Sequence, residues 1–226
     1  LIHTTNMGDD EAEYKVMYDG DEAETNWISK EGKATVTYAD GSTFAGTFDA
    51  EKLKQGAGVY TWMGAGEDDE DPKPKAVYEG EYVDGIKSGR GKMTFPNGDV
   101  YDGSWANNKM EGEGTYTYKA TGDIYSGTFA AGKKSGEGRY EFGADQSQMV
   151  GTWVDGAITT GSWELKGAGV YTGAFKNGKP SGEGGFKFTS GIEQAGTYVA
   201  KKEGDEDDED APVTITWDGT PVFSTA

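Results

Sequence analysis

The sequence predicts an all-β protein, an elongated single-layer antiparallel sheet built from tandem hairpins. Three observations predict it. A motif of aromatic residues and glycines recurs every 22 to 24 residues. Within the motif, the aromatics and the first glycine share one parity, so on a strand they face one side. No apolar period of 3.6 residues competes with this pattern in the array.

The array is built from one repeated motif. The motif is an aromatic residue, a glycine two positions later, a second aromatic at position four, and glycines at positions seven, eleven and thirteen. Three copies keep every offset and begin at Tyr78, Tyr125 and Tyr171. A fourth begins at Tyr101 and has Asn108 in place of one glycine, a substitution compatible with positive φ. Looser copies begin at Phe44, Met149 and Gln194.

Each copy reads as a hairpin. Tyr78, Gly80 and Tyr82 face one side of the first strand, and the glycine leaves a flat place where a ring can lie. The chain turns near Gly85 and returns along Gly91–Phe95. Because an isolated hairpin is marginal in water, the rings of successive copies must stack to supply the missing burial.

Composition shifts divide the chain into three parts. We expect an acidic N-terminal segment over 1–17, a repeat array over 18–200 and an acidic C-terminal tail over 201–226. The array contains an acidic insert at 65–76. Its predicted units are 18–43, 44–77, 78–100, 101–124, 125–148, 149–170 and 171–200.

Composition argues against catalysis. The 226 residues include no cysteine, and the single histidine is His3 at the N-terminal end, which excludes thiolate zinc sites and Ser-His or Cys-His pairs within the array. Gly127–Lys134 nearly spells a phosphate-binding loop, but Lys134 stands where that loop needs Ser or Thr. No apolar run reaches the roughly 18–20 residues of a membrane span. We therefore predict no catalytic residue, no cofactor site and no metal site.

The formal charge of −19 is concentrated in acidic clusters near the N-terminus, in the insert and in the tail. Such clusters repel themselves and stay solvated, so we expect loops or tails. They either serve solubility and spacing or dock onto a basic partner. Nucleic acid and anionic membranes are poor partners for these clusters, because both carry negative charge themselves. The acidic segments with a hypothetical interaction role are Glu67, Asp68, Asp69, Glu70 and Asp71 in the insert and Asp205, Glu206, Asp207, Asp208, Glu209 and Asp210 in the tail.

The repeated rings have two alternative roles. They pack side by side and hold up the sheet, or part of their face forms a groove for a helix or strand of a partner. The hypothetical partner-binding face comprises Tyr78, Tyr82, Tyr101, Trp105, Tyr125, Phe129, Trp153, Tyr171 and Phe175.

The motif resembles the MORN repeat over about Tyr18 to Tyr198. In the last third, a copy at Gly151–Gly156 loses its paired glycines, a regular copy follows from Tyr171, and a half copy ends at Tyr198 before an acidic run and Trp217. That order is similar to the radial spoke head 1 family (the MORN proteins of the radial spoke head and their short relatives) in motile cilia and flagella.

The resemblance implies a non-enzymatic scaffold subunit in the axoneme. Its partners would be other spoke-head subunits and the scaffold of the spoke stalk, with contact to central-pair projections and control of motility. The alternatives are a MORN module that apposes membrane or cytoskeleton outside the spoke, and a spoke assembly factor.

Overall fold

The computed structural model describes residues 14–18, 21–22, 31–64, 74–202 and 213–222. Within these ranges all regular secondary structure is β-strand, and every strand pair given below is antiparallel. The chain forms two compact units. The first contains the described residues up to Gly98 together with Ser104–Asn108, and the second contains Asp99–Gly103 and the described residues from Lys109 onward.

The first unit is a meander whose strands from β3 to β7 pair in sequence order. Its N-terminal strand β1 pairs with both β2 and β3. The strands are β1 Tyr14–Tyr18, β2 Asp21–Glu22, β3 Gly32–Tyr38, β4 Thr43–Phe48, β5 Lys54–Met63, β6 Pro74–Val83 and β7 Ile86–Thr94. Strand β8 follows at Val100–Ala106, and its residues are shared between the two units.

The second unit is also a meander, and its strands from β9 to β17 pair in sequence order. The strands are β9 Lys109–Thr117, β10 Ile124–Ala130, β11 Lys133–Glu141, β12 Gln148–Val154, β13 Ala157–Leu165, β14 Gly169–Lys176, β15 Lys179–Phe188, β16 Glu193–Lys202 and β17 Val213–Val222. The predicted all-β antiparallel hairpin architecture is therefore confirmed within each unit.

Tight two-residue turns close the hairpins. In the turn between β6 and β7, Asp84 has φ 50° and Gly85 has φ 78°, the pattern of a type I′ turn that matches the twist of paired strands. The turn is also tied to the preceding hairpin, because the Gly85 N–H donates to the Lys54 carbonyl at 2.9 Å. The same link joins Gly132 to Met110 at 2.9 Å and Gly156 to Lys134 at 2.9 Å.

The glycines of successive strands stand opposite one another and form a row across each unit. Opposed glycines bring two backbones close together and leave a flat strip on the sheet. The row consists of Gly46, Gly58, Gly80 and Gly91 in the first unit and of Gly114, Gly127, Gly138, Gly151, Gly161, Gly173, Gly184, Gly196 and Gly219 in the second.

The strands extend beyond the segment boundaries that composition indicates. Tyr14–Tyr18 pairs with β3 although it overlaps the expected acidic segment, and Pro74–Ala76 opens β6 although it falls within the expected insert. Strand β17, in the expected tail, matches β16 over ten residue pairs. Its Trp217 packs against Tyr198 at 4.7 Å between ring centroids, which explains why this segment joins the sheet.

Candidate interaction surface

The leading tyrosines lie flat on the glycine row. A Cβ atom placed on Gly80 would sit 2.5 Å from the Tyr78 hydroxyl oxygen and 2.6 Å from the Cα of the opposed Gly91. No room for a side chain exists there, so the ring takes the place of two side chains. The Tyr78 hydroxyl also donates to the Glu81 carbonyl at 3.2 Å, which fixes the ring at its far end.

The same arrangement recurs in the second unit. The ring of Tyr125 covers Gly127 and Gly138, and its hydroxyl donates to the Thr128 carbonyl at 3.1 Å. The ring and the glycines it covers therefore lie on one face, as their shared parity predicts. We call this face of each unit the ring face and the opposite one the polar face.

Leading rings make edge-to-face contacts with rings of their own repeat and of the neighbouring one. Tyr125 meets Phe129 of its own repeat at 5.2 Å and 90°, and Trp153 of the next repeat at 5.1 Å and 76°. Tyr171 likewise meets Phe175 at 5.4 Å and Tyr198 at 5.2 Å. Such geometry contributes about 0.5–1.5 kcal/mol per pair beyond area burial. Successive hairpins are thus joined through their rings as well as their backbones.

The nine rings of the hypothetical partner-binding face are almost completely buried in the chain itself. The four leading tyrosines are 0% exposed, and the other five are at most 6% exposed. These rings pack side by side and hold the hairpins together. Their contact with a partner stays a prediction. The residues are Tyr78, Tyr82, Tyr101, Trp105, Tyr125, Phe129, Trp153, Tyr171 and Phe175.

Three lysines lie over this ring core, and none of them belongs to the hypothetical partner-binding face. Lys54 Nζ lies 5.2 Å from the Phe44 ring centroid, and Lys87 Nζ lies 5.1 Å from that of Tyr78. Lys134 Nζ lies 5.4 Å from the Tyr125 centroid. Each ammonium group therefore sits above the leading ring of its repeat, where cation–π attraction favours it.

Burial lowers the pKa of all three lysines. For Lys54 and Lys87, loss of hydration is the whole cause. For Lys134 burial outweighs the opposing field of Asp123. The position can be recognised in the sequence, because it falls nine residues after the leading residue. It is held by Lys87, Met110, Lys134 and Pro180 in the four regular copies and by Ile158 in the copy from Met149.

A comparison with protein families identifies the repeat. A family model described as MORN repeat matches residues 78–100, 101–120, 125–144 and 171–192. The chain carries MORN repeats. It is also 30% identical over 104 residues to MORN repeat-containing protein 3 of Xenopus laevis, a match that spans 42% of this chain and 40% of that protein.

The looser copy of the motif that begins at Met149 has no leading tyrosine. The carbonyl that such a tyrosine would bind belongs to Thr152, and here the Thr159 hydroxyl donates to it at 3.1 Å. Met149 and Ile158 line a ring-face groove of about 290 Å³ that is also bordered by Lys134 and Trp153. A threonine hydroxyl thus replaces one function of the lost ring, and the remaining space stays open.

Aspartates before two of the MORN repeats anchor neighbouring tyrosines. The Tyr140 hydroxyl donates to Asp123 Oδ2 at 2.6 Å, and the Gly143 N–H donates to Oδ1 at 2.8 Å. Burial alone would raise the pKa of Asp123, but these hydrogen bonds outweigh it and hold the pKa below its usual value. Asp99 binds Tyr116 at 2.9 Å in the same way.

The polar face of the second unit carries threonine–glutamate pairs across neighbouring strands. Thr128 Oγ1 donates to Glu113 at 2.9 Å, and Thr152 Oγ1 donates to Glu137 at 2.7 Å. Glu137 is thus part of a solvated strand face.

The acidic segments Glu67–Asp71 and Asp205–Asp210 lie outside the described residues. Among the residues that are described, no cluster of three His, Cys, Asp or Glu side chains could hold a metal ion. The same part of the chain contains no helix long and apolar enough to cross a membrane.

Proposed function

We propose that this MORN-repeat chain is a non-enzymatic structural subunit of the axonemal radial spoke head. In this role it binds other spoke-head subunits and the stalk scaffold, and it presents a surface to the central-pair apparatus. The order of the last repeats supports the assignment: a copy at Gly151–Gly156 without its paired glycines, a regular copy from Tyr171, and a closing half copy.

The structural role rests on the interlocked rings. Tyr125 is 0% exposed, and Trp153 of the next repeat is one of the side chains that cover it. A hairpin therefore cannot separate from its neighbour without exposing a large aromatic surface, which costs roughly 25 cal/mol per Å². An array built in this way holds its side chains at fixed spacing, which is what a subunit that repeatedly meets a moving partner requires.

Partners can reach both faces of a unit. The ring face offers lysines and half-buried rings above the closed core, and the polar face offers threonine and glutamate side chains. The acidic segments remain a sequence-based prediction of electrostatic contact with the central pair. Replacing Glu67–Asp71 with Gln and Asn should change the beat of the cilium, and an unchanged beat with unchanged spoke-head assembly would remove that part of the proposal.

The location is tested in ciliated cells that express the epitope-tagged chain. We expect the chain to stay with axonemes after detergent and salt extraction, and to be missing from axonemes that have stalks but no spoke heads. Recovery in the soluble ciliary or cytoplasmic fraction would favour an assembly factor. Sedimentation of the purified chain with anionic liposomes would favour membrane apposition. Either result would overturn the proposed role.

A further inference from the structure

We propose that the ring face of the first unit binds an acidic amphipathic helix of a partner protein, with Lys54 and Lys87 pairing to two carboxylates seven residues apart on that helix. The inference rests on the proposed function as a partner-binding scaffold, and it specifies what one face of that scaffold recognises.

Lys54 and Lys87 are positively charged groups that a carboxylate of a partner would neutralise. Both side chains are half-buried, and each ammonium group is surrounded by rings. Lys54 lies 5.8 Å from the Tyr38 centroid and Lys87 lies 5.3 Å from that of Trp62. Neither forms an ion pair with a carboxylate among the described residues. Because the rings replace only part of the lost hydration, both ammonium groups are poorly solvated. A carboxylate from a partner would therefore pair with them favourably.

The spacing of the lysines selects a helix. Each lysine lies over its leading ring, and the two leading residues, Phe44 and Tyr78, stand opposite Tyr60 from either side. They are thus two strand spacings apart, about 10 Å. Seven residues of α-helix rise about 10.5 Å and return close to the same face. An extended strand would cover that distance in three residues, at about 3.3 Å each, and its two carboxylates would point to opposite sides.

The surface around the lysines suits the apolar side of such a helix. Tyr38, Tyr60 and Trp62 are half-buried, and they form a continuous patch with centroid distances of 5.7 Å and 4.4 Å. Aromatic patches of this kind bind aliphatic anchors, while the flanking cations fix the register. The patch and the two charges together match one helix face, with apolar residues beside two acids.

The test uses fluorescence anisotropy with the full-length chain and designed peptides. The probe is a fluorescein-labelled helical 22-residue peptide of Ala, Leu and Gln with Glu at two positions seven apart. One comparison peptide has both Glu replaced by Gln, and another has them four apart. We expect the first peptide to bind, and each comparison peptide to bind at least tenfold more weakly.

Variants of the chain locate the contact. Lys54→Met with Lys87→Met should weaken binding of the Glu peptide at least tenfold, and the fold should persist because Met110 holds the equivalent position in the repeat from Tyr101. Lys92→Met, on the polar face of the same strand as Lys87, is the matched control and should change nothing. Circular dichroism checks that each variant is folded.

Several outcomes would overturn the inference: no binding of the Glu peptide, equal binding of the Gln peptide, or an equal loss with Lys92→Met. Binding that emerges only after Glu67–Asp71 are neutralised would also overturn it, in favour of an intrachain contact. None of these outcomes affects whether the chain remains in extracted axonemes, so failure here is distinct from failure of the proposed function.

Discussion

The glycine row makes a sharp prediction at β15, where two adjacent glycines differ in their surroundings. A Cβ on Gly184 would lie 2.5 Å from Cε2 and 2.7 Å from the hydroxyl oxygen of Tyr171, about 1 Å inside an ordinary contact. Gly184→Ala must therefore displace a ring that is 0% exposed and that donates a 3.0 Å hydrogen bond to the Ala174 carbonyl. Overpacking costs about 1–3 kcal/mol and the hydrogen bond about 1 kcal/mol. We expect the free energy of unfolding to fall by about 2–4 kcal/mol.

Gly185→Ala is the matched control. Its Cβ would meet nothing nearer than the Gln194 carbonyl oxygen at 3.9 Å, and Gly185 is not among the glycines with positive φ. Reduced freedom of the unfolded chain makes this change neutral or stabilising by up to about 1 kcal/mol. Both variants are compared by urea unfolding, followed by tryptophan fluorescence and by hydrogen exchange of the amides in β14–β16.

A double variant separates the clash from loss of the ring. With Tyr171→Ala in place, the ring atoms nearest to the new methyl group of Gly184→Ala are gone, so the two changes together should cost less than the sum of their separate costs. If Gly184→Ala were as stable as Gly185→Ala, or if the two costs simply added, the ring would not depend on the glycine and the reasoning would fail.

Three further predictions concern hydrogen bonds and ionisation. Thr159→Val should cost about 1 kcal/mol because it removes the side-chain hydrogen bond to the Thr152 carbonyl, and adding Met149→Tyr should restore much of that loss, both measured by urea unfolding. Burial raises the pKa of Tyr78 to about 12, so the tyrosine ionises in the unfolded state above pH ~10 while it stays protonated in the folded state. The free energy of unfolding should therefore fall from about pH 10 toward pH 12, and it should fall less steeply in Tyr78→Phe. The pKa of Asp123 is lowered, so its stabilising effect is present at neutral pH and is lost as the pH falls through the folded-state pKa. Asp123→Asn should therefore lower the free energy of unfolding by about 1–2 kcal/mol at pH 7. The difference in free energy of unfolding between this variant and the natural chain should shrink in acid.

The hairpins could be predicted because they depend on sequence patterns within a few residues. Two-residue periodicity is a property of a single strand, so the sequence places Tyr125 and Gly127 on one face, and the structure confirms it. Positive φ at tight turns is equally local, and the glycines and asparagines at those positions indicate the turns directly.

Other features depend on contacts between distant residues. Lys134 reads as a solvated charge in the sequence, because nothing local shows that four rings from three repeats surround it. Strand β17 follows an acidic run and reads as tail, yet its register with β16 and the contact of Trp217 with Tyr198 make it part of the sheet. Two of the rings around Lys134 belong to neighbouring repeats, and the partner of Trp217 lies beyond an acidic segment.

The amino-acid sequence by itself determined the repeat, the strand parity and the MORN identity, since each follows from spacing within about 14 residues. Only the tertiary structure decided which rings are closed off and which groups remain available. Tyr82 packs against Phe44 of the preceding repeat as well as Tyr78 of its own, Trp105 packs against Tyr78 of the preceding repeat, and the lysines become unusual only once such rings surround them. Burial is a property of the assembled array, because each hairpin receives from its neighbour the cover that it cannot supply for itself.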